Sequence, residues 1–179
     1  MERTKEENRE LCDRYPFLIP WNVWTGKRIT DAKEGGYYLH SPKVIPEYDY
    51  EYTLLDDMPD GWREAFGIRM CEEIRDALIE DGDLDRYRVV QIKEKYGMLC
   101  WYDNGVKVGS RVHNIIRKYE SISAGTCIVC GQPATRITLG WISPFCDDCC
   151  INCGNGKSVT IEEYYKEEGT ENGADDSGK

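Results

Sequence analysis

Long apolar runs are missing from this 179-residue chain. None approaches the roughly 20 residues a helix needs to cross a bilayer, so a helical membrane anchor is not expected. The stretch from Met1 to Asn8 carries no apolar segment of the kind that opens a secretory signal, and a cytoplasmic protein is expected instead. Histidine is scarce: His40 and His113 are the only two, and neither stands at metal-ligand spacing from the cysteines. Positive charge is also short, with 23 Lys and Arg against 33 Asp and Glu and a net charge of −10. That balance argues against a general nucleic-acid coat protein. Apolar residues make up 40% and charged residues 31%, the proportions of an ordered core with solvated ends.

Cysteine, by contrast, is plentiful: the chain has nine. An odd number with no secretory signal points to a reducing compartment and metal ligation, not to a disulfide framework. Cys12, Cys71 and Cys100 stand alone and read as buried free thiols. The others cluster as Cys127-Ile-Val-Cys130-Gly131 and, after fifteen residues, Cys146-Asp-Asp-Cys149-Cys150-Ile-Asn-Cys153. Paired Cys-x-x-Cys at this separation is the pattern of a four-cysteine zinc site, because four thiolates close the tetrahedral shell of a borderline-soft ion. The first pair is Cys127 and Cys130. The second is Cys146 and Cys149 or, after a nineteen-residue arm, Cys150 and Cys153. The shorter arm favours Cys146 and Cys149. A catalytic zinc keeps an open position and usually takes His or carboxylate ligands. The expectation here is one structural Zn2+, contributing on the order of 10 kcal/mol to the lobe it closes.

The remainder reads as an α+β chain. Residues 1–14 suggest a short polar helix resting on Leu11 and Cys12. In residues 15–58, a Pro/aromatic arm from Tyr15 to Trp24 precedes an irregular segment. Pro16 and Pro20 forbid a continuous helix in the arm, and its aromatics pack onto the core or dock a partner. Residues 59–125 form an α-ββ-α core. Asp60 is placed to cap a helix whose apolar face carries Trp62, Phe66, Met70, Ile74, Ala77 and Leu78, with Asp81-Gly82 as its stop. Alternation from Arg86 onward predicts a hairpin through Tyr96-Gly97, with Val89, Gln91 and Lys93 sharing one face. A second helix from about Ser110 carries Val112, Ile115, Ile116, Tyr119 and Ile122. The ribbon spans 126–154, and 155–179 reads as an acidic, largely disordered tail.

Charge is unevenly spread. Between Arg86 and Phe145, nine Lys or Arg stand against three acids, Glu94, Asp103 and Glu120, so the rest of the chain carries −16. Arg86, Arg88, Lys93, Lys95, Arg117 and Lys118 are therefore candidate phosphate contacts, with Trp101, Tyr102 and Tyr119 as candidate stacking groups. The competing reading is a solvated face whose aromatics turn inward. Two enzyme patterns fail. Gly156-Lys157-Ser158 resembles the end of a P-loop, but Ile151 stands where its earlier glycine is required. Pro59-Asp60 with Gln91-Ile92-Lys93 resembles a metal-dependent nuclease pattern, but Asp60 is assigned to a helix cap and Gln91 replaces the carboxylate. No catalytic residue and no small-molecule substrate is evident.

Several motifs recur in a fixed order. They are Tyr15-Pro-Phe-Leu-Ile-Pro with Trp24-Thr-Gly, Asp56-Asp-Met-Pro-Asp-Gly-Trp62, and Gln91-Ile-Lys-Glu-Lys-Tyr-Gly97 with Trp101-Tyr102. After them come Cys127-x-x-Cys-Gly and Gly140-Trp141-Ile-x-x-x-Cys146-Asp-x-Cys149. Over about residues 10–150 the chain resembles a family of small uncharacterised proteins of bacteria and their phages or prophages, with a C-terminal four-cysteine zinc-ribbon-like motif. The resemblance implies a protein of the bacterial host cytoplasm carried by a mobile element, and it favours Cys146 and Cys149 as the second pair. The expected function is a non-catalytic, zinc-stabilised binding module acting on nucleic acid or a nucleic-acid-handling complex. The alternative is a protein adaptor or host-directed inhibitor using the ribbon and the Pro/aromatic arm. An unrecognised enzyme is the remote third.

Overall fold

Helix starts in this chain are set by local side-chain chemistry. Thr4 and Glu7 form a reciprocal capping box, the Thr4 hydroxyl accepting from Glu7 N–H and the Glu7 carboxylate from Thr4 N–H, and α1 runs from there (Lys5–Arg14). The computed structural model describes residues 3–22, 27–28, 50–153 and 156–171. His40 and most of the irregular segment of the sequence reading, residues 29–49, lie outside them. A 3-10 turn, Pro16–Leu18, follows α1, and Tyr15, Phe17 and Leu18 are fully buried. This part of the Pro/aromatic arm is core and offers no surface to a partner. A two-residue pairing of β1 (Trp21–Asn22) with β2 (Lys27–Arg28) follows.

The long helix predicted from residue 60 is present, with an irregular start. It opens as α2 (Asp60–Trp62), passes through a π-helical turn at Arg63–Gly67 and continues as α3 (Ile68–Asp81). Pro59 occupies the cap position and Asp60 is the first helical residue. The Asp60 carboxylate pairs with Arg63 one turn on and makes no cap hydrogen bond. The whole predicted stripe, Trp62 to Leu78, is buried. Left-handed Gly82 ends the helix, its N–H reaching back to Leu78 and Ile79 carbonyls.

Strands β3 (Val89–Lys95) and β4 (Met98–Asp103) form the predicted hairpin. A β-bulge between Val89 and Gln91 breaks the strict alternation expected from the sequence. Beyond it the parity reverses, so Val89 and Ile92 are both buried. Ile92 pairs with Trp101 on the inner face, while Gln91, Lys93 and Lys95 share the outer face with Tyr102, Cys100 and Met98. Ser110 caps α4 (Arg111–Ala124), accepting from His113 N–H. Val112, Ile116 and Tyr119 enter the core as predicted, but Ile122 stays partly exposed. Ser123 is buried in the last turn, its hydroxyl accepting from Leu99 N–H and donating to Glu120 O.

The C-terminal part is a three-stranded antiparallel sheet. β5 (Arg136–Thr138) lies between β6 (Pro144–Phe145) and β7 (Ser158–Thr160), with α5 (Asp147–Cys153) and α6 (Ile161–Glu171) attached. Part of the segment read as tail is therefore built into the ribbon. The physical reason is a second capping box. Thr160 and Glu163 exchange the same two bonds as Thr4 and Glu7, which starts α6 directly at the end of β7. Residues 172–179 lie outside the described residues.

Candidate metal centre

The site begins where α4 ends. Gly125 and Thr126 lead into a tight loop in which Cys127 N–H donates to Gln132 O at 2.7 Å and Gly131 N–H donates to Cys127 O at 3.0 Å. This loop folds the chain back so that Cys127 and Cys130 face the same point. Gly131 has φ +73, the left-handed region that a two-residue knuckle demands of the position after its second cysteine. The second pair comes from a different element. Cys146 immediately precedes α5 and Cys149 lies in its first turn, so helical spacing brings them to one side.

The four sulfurs of Cys127, Cys130, Cys146 and Cys149 all lie within 4.8 Å of one another, and Cys130 Sγ is 3.6 Å from Cys146 Sγ. Two knuckles separated by fifteen residues thus meet in a group that can hold a metal ion. Charge is favoured at one of them. Burial pushes the Cys127 thiol up, but N–H groups of Cys146, Cys130 and Val129 aimed at its sulfur outweigh this and bring it down to about 7. A hydrogen bond with Cys130 holds Cys149 protonated, well above the usual thiol range.

Cys150 lies outside the group. It is buried with Phe145 and Cys127 and fills space beneath the cluster. The side chain of Cys153 is outside the described residues. Of the lone thiols, Cys12 and Cys71 are buried and Cys100 is half-buried.

The knuckle is seated on the helical core at one point. Gly61 N–H, in the first turn of α2, donates to Ile128 O at 3.0 Å, so a helix-start donor is satisfied by the metal loop. Next to it the Trp62 indole N–H donates to Thr126 O at 2.9 Å in a buried contact. The approach is so close that a Cβ on Gly61 would sit 2.3 Å from Cys127 O and 2.8 Å from Cys130 N. Sequence reading missed this role of Gly61. The available signal was a glycine one residue inside a helix start, where propensity disfavours it.

Of the candidate contact residues, Arg86, Arg88 and Lys118 are engaged within the fold, as are the neighbouring basic residues Arg111 and Arg136. Arg86 pairs with Asp83, Lys118 with Glu73, Arg111 with Glu80 and Asp81, and Arg136 lies 4.0 Å from Asp147. Arg88 donates to Tyr87 O at 2.6 Å, and Arg117 is exposed on α4. Lys93 and Lys95 lie over the Tyr102 and Tyr96 rings, at 5.1 Å and 5.4 Å from the centroids. Of the candidate stacking groups, Trp101 and Tyr119 are buried and only Tyr102 is exposed. Tyr96 and Trp141, not singled out from the sequence as stacking groups, are the most exposed aromatics among the residues whose burial is described.

Among the described residues no helix is long and apolar enough to cross a membrane. Comparison with protein families, with curated proteins and with solved structures returns no match. What the functional reading rests on is therefore the cluster of four cysteines.

Proposed function

We propose that the chain is a non-catalytic binding module whose ribbon is closed by one structural zinc ion, and that its partner is a protein. The observation that carries the reading is the gathering of four thiols from two knuckles. Thiolates at about 2.3 Å from a tetrahedral zinc stand about 3.8 Å apart, and the 3.6 Å between Cys130 and Cys146 fits that edge. Cys127, Cys130, Cys146 and Cys149 would hold the ion, which would supply a closed, redox-inert cross-link between two chain segments. Four sulfurs leave no open position, which supports a structural role over a catalytic one.

The choice of a protein partner follows from the charges. A phosphate-binding face needs positive groups that are unpaired and convergent. Here Arg86, Arg111, Lys118 and Arg136 are engaged by acids drawn from outside the basic stretch, namely Asp83, Glu80, Asp81, Glu73 and Asp147. Such pairing supports self-neutralisation within the fold, and the net charge of −10 points the same way. The resemblance to proteins of bacteria and their phages supports a setting in which a mobile element supplies the module and a host protein receives it.

Two measurements test the reading. Native mass spectrometry should find one zinc per chain, lost in Cys127→Ser and Cys146→Ser and kept in Cys153→Ser. Retention in the first two variants would refute the ligand set. Fluorescence anisotropy with a labelled single-stranded oligonucleotide at low salt should show no binding. Binding that weakens steeply as salt rises would restore nucleic acid as the partner.

A further inference from the structure

The turn of the β3–β4 hairpin and the turn between β5 and β6 stand side by side, and between them lies a cleft of about 330 Å³. Glu94, Lys95 and Tyr96 line one wall and Gly140, Trp141 and Ile142 the other. The walls are in contact at their base, where a Cβ on Gly97 would lie 3.1 Å from Ile142 Cγ2. At the rim Tyr96 is 73% and Trp141 79% exposed, a large aromatic surface to leave in water. Tyr96 is also held at φ +52, a left-handed conformation that Asn or Gly adopts at less cost in this type of turn. Neither ring packs into a core, so stability does not account for their placement.

Hydrogen-bonding capacity narrows what the cleft can hold. The Trp141 indole N–H and the Tyr96 hydroxyl have no hydrogen-bond partner among the described residues, and the Lys95 ammonium rests on the Tyr96 ring. The one carboxylate in the lining, Glu94, accepts from Gly97 N–H at 2.7 Å. The cleft therefore offers aromatic faces and unused donors, while one oxygen of Glu94 is turned to the hairpin backbone. A complementary occupant presents apolar surface to the rings and acceptors to these donors. Proline in a polyproline II segment has this character: its carbonyls are free, it has no N–H, and its stiffness lowers the cost of ordering. A nucleic-acid strand also brings acceptors and flat faces, but the chain's net charge of −10 opposes it.

We propose that this cleft is the partner site and that its occupant is a proline-rich segment of the partner protein in polyproline II form. This deepens, and rests on, the protein-binding reading above. One wall belongs to the hairpin and the other to the ribbon, so closure of the cysteine centre assembles the site.

The test is a titration of the 15N-labelled full chain with acetyl-octaproline amide, followed by NMR. The amides of Tyr96, Gly140 and Trp141 and the Trp141 indole N–H should shift. Affinity should fall by about tenfold or more in Trp141→Ala and in Tyr96→Gly. Tyr96→Gly relieves the left-handed turn, so binding lost in that variant reports the ring and not the fold. A thymidine oligonucleotide should leave the same resonances in place. No shift with octaproline, equal binding by both variants, or shifts produced by the oligonucleotide instead would overturn the proposal. Zinc content measured on the same sample separates the two readings. Octaproline binding by zinc-free protein supports the cleft and removes the metal from its assembly. Zinc-loaded protein that ignores octaproline overturns the cleft alone.

Discussion

The helical core and the ribbon stabilise themselves by different means. The core joins α2–α3, the β3–β4 hairpin and α4 around Trp62, Phe66, Met70, Ile74, Leu99, Val112 and Tyr119, with Tyr15, Phe17 and Leu18 packed in from the N-terminal side. At about 25 cal/mol per Å² of apolar surface removed from water, a cluster of this kind holds itself together. The ribbon has no comparable interior. Its buried cluster is Cys127, Phe145 and Cys150, edged by Ile128, Cys146 and Cys149. Four of those six residues are cysteines, so what should be an apolar core is largely sulfur. The lesson is that the ribbon's interior is too small to close itself, that the proposed zinc ion would stand in for it, and that the close contact at Gly61 seats the knuckle on the helix.

The sharpest break in this comparison is metal removal. Chelation should cost the ribbon on the order of 10 kcal/mol of apparent folding free energy. Amides from Cys127 to Phe145 should then exchange freely in a hydrogen-exchange measurement, while those of α3 and α4 stay protected. Uniform loss of protection across both regions would mean that the core depends on the ribbon, contrary to this account.

Next in size is the joint between them. Gly61→Ala places a methyl group against three backbone atoms of the knuckle, Cys127 O, Cys130 N and Gly131 N, none of which is the end of a flexible side chain. Overpacking of this kind costs about 1–3 kcal/mol or more, read as a lower denaturant midpoint. A midpoint shift below about 0.5 kcal/mol would show that the knuckle is free to move off the helix.

A further effect, confined to a window of pH, concerns the core alone. The Asp57 Oδ2 atom is buried without a hydrogen-bond partner among the described residues, and burial pushes its carboxyl from 3.8 up to about 7. Between those values the unfolded chain loses a proton that the folded chain keeps, so stability falls as pH rises through this window and levels off above it. Asp57→Asn should therefore raise Tm relative to the parent at about pH 8 and leave it unchanged near pH 4. The same advantage at both pH values would remove Asp57 ionisation as the cause.

What could be read in the sequence follows the same division. The stripe from Trp62 to Leu78 was legible because a period near 3.6 is a property of consecutive residues. The cysteine pairs were legible because ligand spacing is local within each knuckle. Three features were not. The bulge near Gln91 reverses which hairpin residues face inward, and no pattern of alternation announces an inserted residue. The ion pairs of Lys118 and Arg111 join α4 to the middle and the end of α3, and their partners are set only when those two helices pack. The exposure of Tyr96 and Trp141 depends on two turns far apart in sequence coming to rest together. The capping box at Thr160 and Glu163 was readable and was outweighed by the acidity around it.

The central claim is that Cys127, Cys130, Cys146 and Cys149 together hold one zinc ion, and X-ray absorption at the zinc edge of the purified protein tests it most directly. The account predicts a single shell of four sulfurs at about 2.3 Å. A shell containing nitrogen or oxygen at about 2.0–2.1 Å, or protein purified without zinc that keeps its ribbon folded, would contradict it.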